Sequence, residues 1–261
     1  RIVAKIERSE AIPRLDEIVK VSDAVMVARG DLGIEVGYAE LTGLQKHILQ
    51  VARKHDRVTI TATQMMESMI QNPVPTRAEV SDVANAVLDG SDAVMLSGES
   101  AVGKYPVRAV EAMSEVIVGA EKYQIARNIR GERFEGRVSE FAQAIAHAVM
   151  YTANHMAVEA IVALTESGAT PLWMSRIRSD IPIFAFTRNE RTRRRVALYR
   201  GVYPIPFDIT HTDPAELYKA ISRELIERKF LRSGDEIILT LGEFSGVSGG
   251  TNTMKLLEVS A

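Results

Sequence analysis

The sequence predicts an α/β protein built on parallel sheet, and three observations carry that expectation. Short runs of aliphatic and β-branched residues alternate with helical patterns. The alternation occurs twice, before and after a polar stretch near residues 121–138. In the first half, each run ends in charged or hydroxyl-bearing residues. Successive βα units imply parallel strands joined by right-handed crossovers.

Taken in order, the first-half strands are expected at 2–7, 24–28, 58–62 and 92–97, apolar enough to be buried on both faces. Between them, Leu44, Ile48 and Val51 recur at helical spacing. Thr76-Arg-Ala-Glu79 is a capping box opening a helix with Val80, Val83, Ala84 and Val87 on one face, and Gly90 stands where a terminating glycine belongs. Four such units form either half of an eight-stranded barrel or part of an open sheet, because a closed barrel takes about 250 residues. The stretch 123–137, with two glycines and scattered charge, reads as a linker between domains 1–122 and 138–261. The second domain is expected to carry a helix over 138–154 and strands at 159–164, 182–186, 202–206, 236–241 and 253–259. Helices are expected near 171–178, 189–198 and 213–230, the last capped by Asp213 and Pro214 with Leu217, Ile221 and Leu225 inward. Only residues 242–252 separate the last two strands. That is too short for a crossover helix, so they should pair antiparallel. This describes a small doubly wound domain.

Composition narrows the function. The 261 residues are 46% hydrophobic and 25% charged with a net charge of −2, which gives no global attraction to nucleic acid or an anionic membrane. The cluster Arg191, Arg193, Arg194 and Arg195 lacks an aromatic stacking platform and reads as a solvated or subunit-contacting face. There are no cysteines, which excludes a disulfide scaffold and thiol chemistry and fits a reducing cytosol. No apolar run reaches the roughly 18 residues of a membrane span. The five histidines do not cluster as metal ligands. The chain opens on Arg1-Ile-Val-Ala without a Met, which suggests a piece of a longer protein.

The chemistry-bearing residues sit at strand tips. Lys5 and Glu7, two apart, face one side of their strand; alone they read as a buried ion pair. Arg29-Gly30-Asp31-Leu32-Gly33 ends the second strand. Gly30 would let backbone approach a ligand, and a helix starting near Asp31 would offer free N–H groups to an anion, although a tight turn with an aspartate cap reads as well. Thr63 follows the third strand, and Ser97 and Glu99 follow the fourth. In a parallel sheet these tips share one rim, where sites are built. Four tips of this kind together favour catalysis, and two carboxylates beside a lysine suit a magnesium-bound phosphate. In the second domain, Thr165, Ser167, Gly168 and Thr170 form a hydroxyl-and-glycine cradle at a helix start, with the glycine- and serine-rich loop 242–252 able to close over it; two flexible turns read equally well.

Together the segments 5–7, 27–33, 62–69, 75–90 and 92–99, with Thr187-Arg-Asn189, residues 198–202 and Thr251-Asn-Thr253, resemble the pyruvate kinase family over essentially the whole chain. The resemblance implies the second half of a TIM (β/α)8 barrel followed by a regulatory α/β domain. It implies phosphoryl transfer from phosphoenolpyruvate to ADP, giving pyruvate and ATP in a cytoplasmic, typically homotetrameric enzyme. Glu7 and Asp31 would hold Mg2+ or Mn2+. Lys5 would neutralise the transferring phosphoryl group, and backbone at Gly30 and Asp31 would receive the substrate carboxylate. Thr63 would orient the proton donor, with Ser97 and Glu99 in the relay. Arg77 would lie at a subunit contact. K+ is a further cofactor the family admits, with ligands outside this chain. Thr165, Ser167, Gly168 and Thr170 would bind an effector phosphate. The late loop lacks the Trp and Arg of members activated by fructose-1,6-bisphosphate, which opens the way to a monophosphorylated sugar or a nucleotide monophosphate. Four barrel strands and a lid domain of the family have no counterpart here, so the chain alone is expected to be inactive. The competing reading is a non-catalytic phosphate-binding module.

Overall fold

The computed structural model describes residues 1–126, 138, 140–208, 214–242 and 249–260. The chain forms two compact units, Arg1–Ile129 and Arg130–Ala261.

In the first unit, β1 (Val3–Ile6) leads through a 3-10 turn into α1 (Leu15–Val21), then β2 (Ala24–Ala28), α2 (Arg29–Val36), α3 (Tyr38–Lys54) and β3 (Val58–Ala62). A second 3-10 turn precedes α4 (Arg77–Leu88), β4 (Ala93–Met95), the short α5 (Gly98–Ala101) and α6 (Pro106–Ala126). The sheet order is β1-β2-β3-β4 and every pair is parallel. All four strands therefore present their carboxyl ends on one rim. Ile6, Val25 and Val27 pack with Leu15, Val19 and Ile48 from the flanking helices. Met65, Met66 and Met69 fill a second cluster with Val83 of α4 and Ala109 and Met113 of α6.

The expected strands are present, with one physical difference. The inner strands β2 and β3 are buried through most of their length, whereas β1 is largely exposed and β4 only partly buried. Each of the latter has one neighbour in the sheet, so its outer edge is uncovered. The capping box at Thr76 is complete: Thr76 Oγ1 accepts from the Glu79 N–H, and the Glu79 carboxylate accepts from the Thr76 N–H at 2.7 Å. Gly90 closes α4 with a φ of +95°, a conformation open to glycine. The stretch 123–137 differs from a linker at its start. Residues 123–126 continue α6, where the Gln124 side chain donates to Leu88 O at the end of α4. Residues 127–137 lie outside the described residues.

The second unit contains α7 (Phe141–His155), β5 (Ala160–Leu164), α8 (Ala169–Ser175), β6 (Ile183–Thr187), α9 (Glu190–Val196), β7 (Val202–Pro206), α10 (Pro214–Glu227), β8 (Glu236–Gly242) and β9 (Thr251–Glu258). Its sheet runs β7-β6-β5-β8-β9. Only β9 is antiparallel, as the short final connection requires. The prolines Pro204 and Pro206 fall on β7, an edge strand, where a missing N–H is tolerated. Ile221 and Leu225 of α10 are buried in the core and Leu217 packs against it. The expected cap Asp213 lies outside the described residues. Strand order reverses beside β5, which places a topological switch point at the carboxyl ends of β5 and β8.

At the edge of the first unit, Asp16 of α1 accepts from Lys20 at 2.5 Å and lies 2.6 Å from His55 Nε2. The Lys20 hydrogen bond, then that of His55, lowers its pKa from 3.8 to about 2. The folded state therefore binds this proton less readily than the unfolded state. The pair's contribution is complete above pH 3.8 and is lost as pH falls through about 2. Asp16→Asn is expected to lower the urea midpoint at neutral pH, where the parent's contribution is complete, and to flatten its fall over that window so that the two proteins converge near pH 2. An acid slope identical to the parent's would contradict the assignment.

Candidate active site at the carboxyl rim of the parallel sheet

The rim starts from Lys5, near the end of β1, and Glu7, just beyond it. Their ammonium and carboxylate form an ion pair, as side chains two apart on one strand face can. Lys5 Nζ also donates to Asp31 Oδ2 at 3.4 Å. Glu7 raises the Lys5 pKa by hydrogen bonding and charge, with partial desolvation opposing and Asp31 adding to it. Lys5 is thus held protonated between two carboxylates from consecutive βα units. Glu7 Oε2 is shielded from solvent, and apart from the Lys5 ammonium it has no hydrogen-bond partner.

Two carboxylates meeting one cation are a test of metal fit. Mg2+ takes oxygen ligands and is held by one or two carboxylates, with water and substrate oxygens completing the shell. Glu7 and Asp31 meet that requirement. Among the described residues no cluster of three or more metal-binding side chains occurs, so Glu7 and Asp31 could supply only part of a shell.

β2 passes directly into α2 with Arg29 as its first helical residue, so Gly30 and Asp31 lie in the first turn. Their N–H groups are free of intrahelical partners by geometry. The Gly30 N–H, expected to face a ligand, donates instead to Thr63 Oγ1 at 2.8 Å. A Cβ at Gly30 would meet Thr63 Oγ1 at 3.6 Å, an ordinary contact, so the chain's own packing does not demand glycine there. Thr63 Oγ1 also donates to Ala62 O at 2.6 Å. Thr63 and Gln64 adopt φ values of +66° and +54°. Consecutive left-handed residues without glycine persist only where neighbours hold them.

Glu99 does not face the rim as a relay group would. Its carboxylate is buried and accepts from the Met66 N–H at 3.0 Å and the Ser97 N–H at 2.8 Å. It ties the loop after β3 to the tip of β4. Ser97 is half-buried beside it. Glu79 fixes backbone in a similar way, accepting from the Ser68 N–H and hydroxyl at 2.7 and 2.6 Å. Burial pushes its carboxyl up, but the hydrogen bonds from Ser68 and Thr76 outweigh that and hold it below the usual range. Arg77, first in α4, is exposed.

In sequence terms the missed residue is Arg29. It is buried, and its guanidinium reaches Asp82 and three carbonyls of the Thr63 loop. The signal that could have found it is an arginine placed directly after a buried strand, where a charge is costly unless partnered.

In the second unit the hydroxyls expected to cradle a phosphate are engaged within their own loop. Thr165 Oγ1 accepts from the Gly168 N–H at 2.9 Å and Ser167 Oγ from the Ala169 N–H at 3.4 Å. Thr170 is buried, its hydroxyl 2.9 Å from that of Thr251. Gly168 has φ +80°, and a Cβ there would fall 2.7 Å from Val196, so both backbone and space require glycine. The loop does follow β5, beside the switch point. Residues 243–248 of the closing loop lie outside the described residues.

A lysine, two carboxylates and helix N-terminal amides on one parallel rim form a site able to manage a metal-bound phosphoryl group. Residues 1–110 match the family described as pyruvate kinase, barrel domain, and residues 143–257 the one described as pyruvate kinase, alpha/beta domain. The chain is 51% identical to a pyruvate kinase of Buchnera aphidicola subsp. Baizongia pistaciae and 51% identical to pyruvate kinase II of Salmonella typhimurium. Each similarity covers 99% of this chain and 54% of the relative. It is 41% identical to a pyruvate kinase of Geobacillus stearothermophilus over 100% of this chain and 44% of that protein. The chain belongs to the pyruvate kinase family. It spans about half the length of the curated relatives it matches. Among the described residues no helix is long and apolar enough to cross a membrane.

Proposed function

We propose that this chain carries the metal- and phosphoryl-handling rim of a cytoplasmic pyruvate kinase, which transfers the phosphoryl group of phosphoenolpyruvate to ADP. The observation that carries the reading is Lys5 seated between Glu7 and Asp31 on a shared carboxyl rim, with the Thr63 hydroxyl fixed at the neighbouring helix start. In the reaction the enol O–P bond breaks, the phosphoryl group passes to a terminal ADP oxygen, and the enolate takes a proton at its methylene carbon.

Glu7 and Asp31 would hold Mg2+ or Mn2+, which supplies neutralisation of negative charge on the reacting oxygens. Lys5 stabilises the charge spread over the transferring group. The α2 N-terminus, with the Gly30 and Asp31 amides, orients the substrate carboxylate; for the Gly30 N–H to take part, Thr63 Oγ1 must yield it. Thr63 then orients the proton donor, and Ser97 and Glu99 hold the surrounding loop. K+ is a further cofactor of the whole protein, with ligands outside this chain. Thr165, Ser167, Gly168 and Thr170 are the proposed contacts for a sugar-phosphate or nucleotide-monophosphate effector, and Arg77 for a subunit neighbour in a homotetramer. Two domains accompany this reading, the first running through the end of α6 and the second over 138–261.

The test is pyruvate formation by the protein as its gene encodes it, from phosphoenolpyruvate and ADP. Turnover that vanishes when Mg2+ is chelated and returns with Mg2+ or Mn2+ is expected, and stimulation by a phosphorylated effector should be lost on altering Thr165 and Ser167. The isolated chain is expected to give none. No turnover by the encoded protein under any effector would favour a binding module instead.

A further inference from the structure

We propose that Arg29 is a positioning residue that sets the Thr63 hydroxyl by holding the backbone of residues 62–64 in its left-handed turn. The inference deepens the proposed function and rests on it for its kinetic consequence.

Arg29 is buried at the junction of β2 and α2, where a guanidinium needs acceptors on several sides. It has them. Nε donates to Ala62 O at 3.3 Å; Nη2 donates to Thr63 O at 2.8 Å and Gln64 O at 3.3 Å and lies 2.9 Å from Met65 Sδ; Nη1 donates to Asp82 of α4 at 2.6 Å. In an extended strand, successive carbonyls point to opposite sides. Three in a row converge on one guanidinium only if the backbone turns back, which Thr63 and Gln64 do through their positive φ angles. Neither is glycine, and a β-branched threonine is a clear outlier there. The turn is therefore held from outside, by Arg29 on one flank and by Glu99 at Met66 on the other. Its product is the placement of Thr63 Oγ1 on the Gly30 N–H, beside Asp31.

A lysine could keep the charge but not the planar fork that reaches Asp82 and three carbonyls at once. A crystal structure of the Arg29→Lys chain is expected to show Thr63 and Gln64 at negative φ and Thr63 Oγ1 more than about 3.5 Å from the Gly30 nitrogen. In the gene-encoded protein, kcat should fall about 10²-fold, the scale of an ångström-level misplacement. The KM for phosphoenolpyruvate should stay within about threefold, because binding is not what Arg29 supports. Loss of deuterium from the methyl group of labelled pyruvate should slow in step with kcat. Adding Gln64→Gly should recover at least about tenfold, since glycine enters the left-handed region without help. A general collapse would show none of this split or rescue.

An unchanged Thr63 geometry, an unchanged kcat, or failure of the glycine rescue would each overturn the proposal. If Arg29→Lys does not fold, Asp82→Asn reads the same device by loosening one arm. It should lower kcat about fivefold with KM unchanged, and an unaltered kcat there would overturn the proposal as well. Absence of turnover in the parent protein would instead sink the functional reading, and the crystal structure would still decide whether Arg29 holds the turn.

Discussion

Lys5→Met in the gene-encoded protein is expected to lower kcat for pyruvate formation by roughly 10³-fold, in the range seen when a cation that neutralises a transferring phosphoryl group is removed. The Lys5 ammonium sits between Glu7 and Asp31, and it is the cation these residues place at the rim. Its charge matters most where negative charge is most delocalised, in the transition state, so KM for phosphoenolpyruvate should move less than kcat. Removing it also leaves two carboxylates facing each other without their intrinsic counter-ion. The half-saturating Mg2+ concentration should therefore fall while turnover collapses. A simple loss of metal could not produce that opposed pair of changes. Loss of the exposed Lys5–Asp31 pair should hardly affect stability, because water screens it, whereas the shielded Glu7 Oε2 loses its one partner, so a modest drop in the urea midpoint is expected. Lys5→Arg should not restore the rate, since a planar fork does not replace a compact point charge. Turnover within about tenfold of the parent would remove Lys5 from the chemistry and favour the binding-module reading.

What the sequence disclosed and what it hid divide by range. Strand positions followed from short runs of aliphatic and β-branched residues, and the capping box at Thr76 from residues three apart. The antiparallel end of the second sheet followed from a short connection. Lys5 and Glu7 were found together because a strand brings residues two apart to one face. The contacts that organise the site are long-range. Arg29 reaches Thr63 across 34 positions and Asp82 across 53, and Glu99 reaches Met66 across 33. A local pattern can mark Arg29 as a charge that needs partners, but none says which residues those partners are. The left-handed turn at Thr63 and Gln64 was hidden for the same reason. Glycine or asparagine would have announced it, whereas here tertiary contacts impose it on residues with no such preference. Exposure of β1 was also illegible, since an apolar run does not reveal whether one neighbour strand or two will flank it.

Glu99→Gln separates the two roles open to that carboxylate, and the expected result is a loss of stability of about 2–4 kcal/mol in the isolated chain. Both carboxylate oxygens are committed: Oε1 accepts from Met66 and Oε2 from Ser97, with the residue buried. A glutamine keeps one acceptor and turns its NH2 toward the other N–H, so one backbone donor is stranded away from water. Hydrogen bonds to an ionised acceptor contribute about 1.5–3 kcal/mol, and a buried unsatisfied donor costs about 1–3. The urea midpoint should drop accordingly, and amide exchange at Met66 and Ser97 should quicken more than that of the inner strand β2. A proton-relay role makes the opposite forecast: an intact midpoint, with only the enolate-protonation step slowed in the encoded protein. The buried geometry argues for the first outcome. A carboxylate that must give up a backbone hydrogen bond each time it moves a proton would release the loop carrying Thr63 at the moment that loop has to be held.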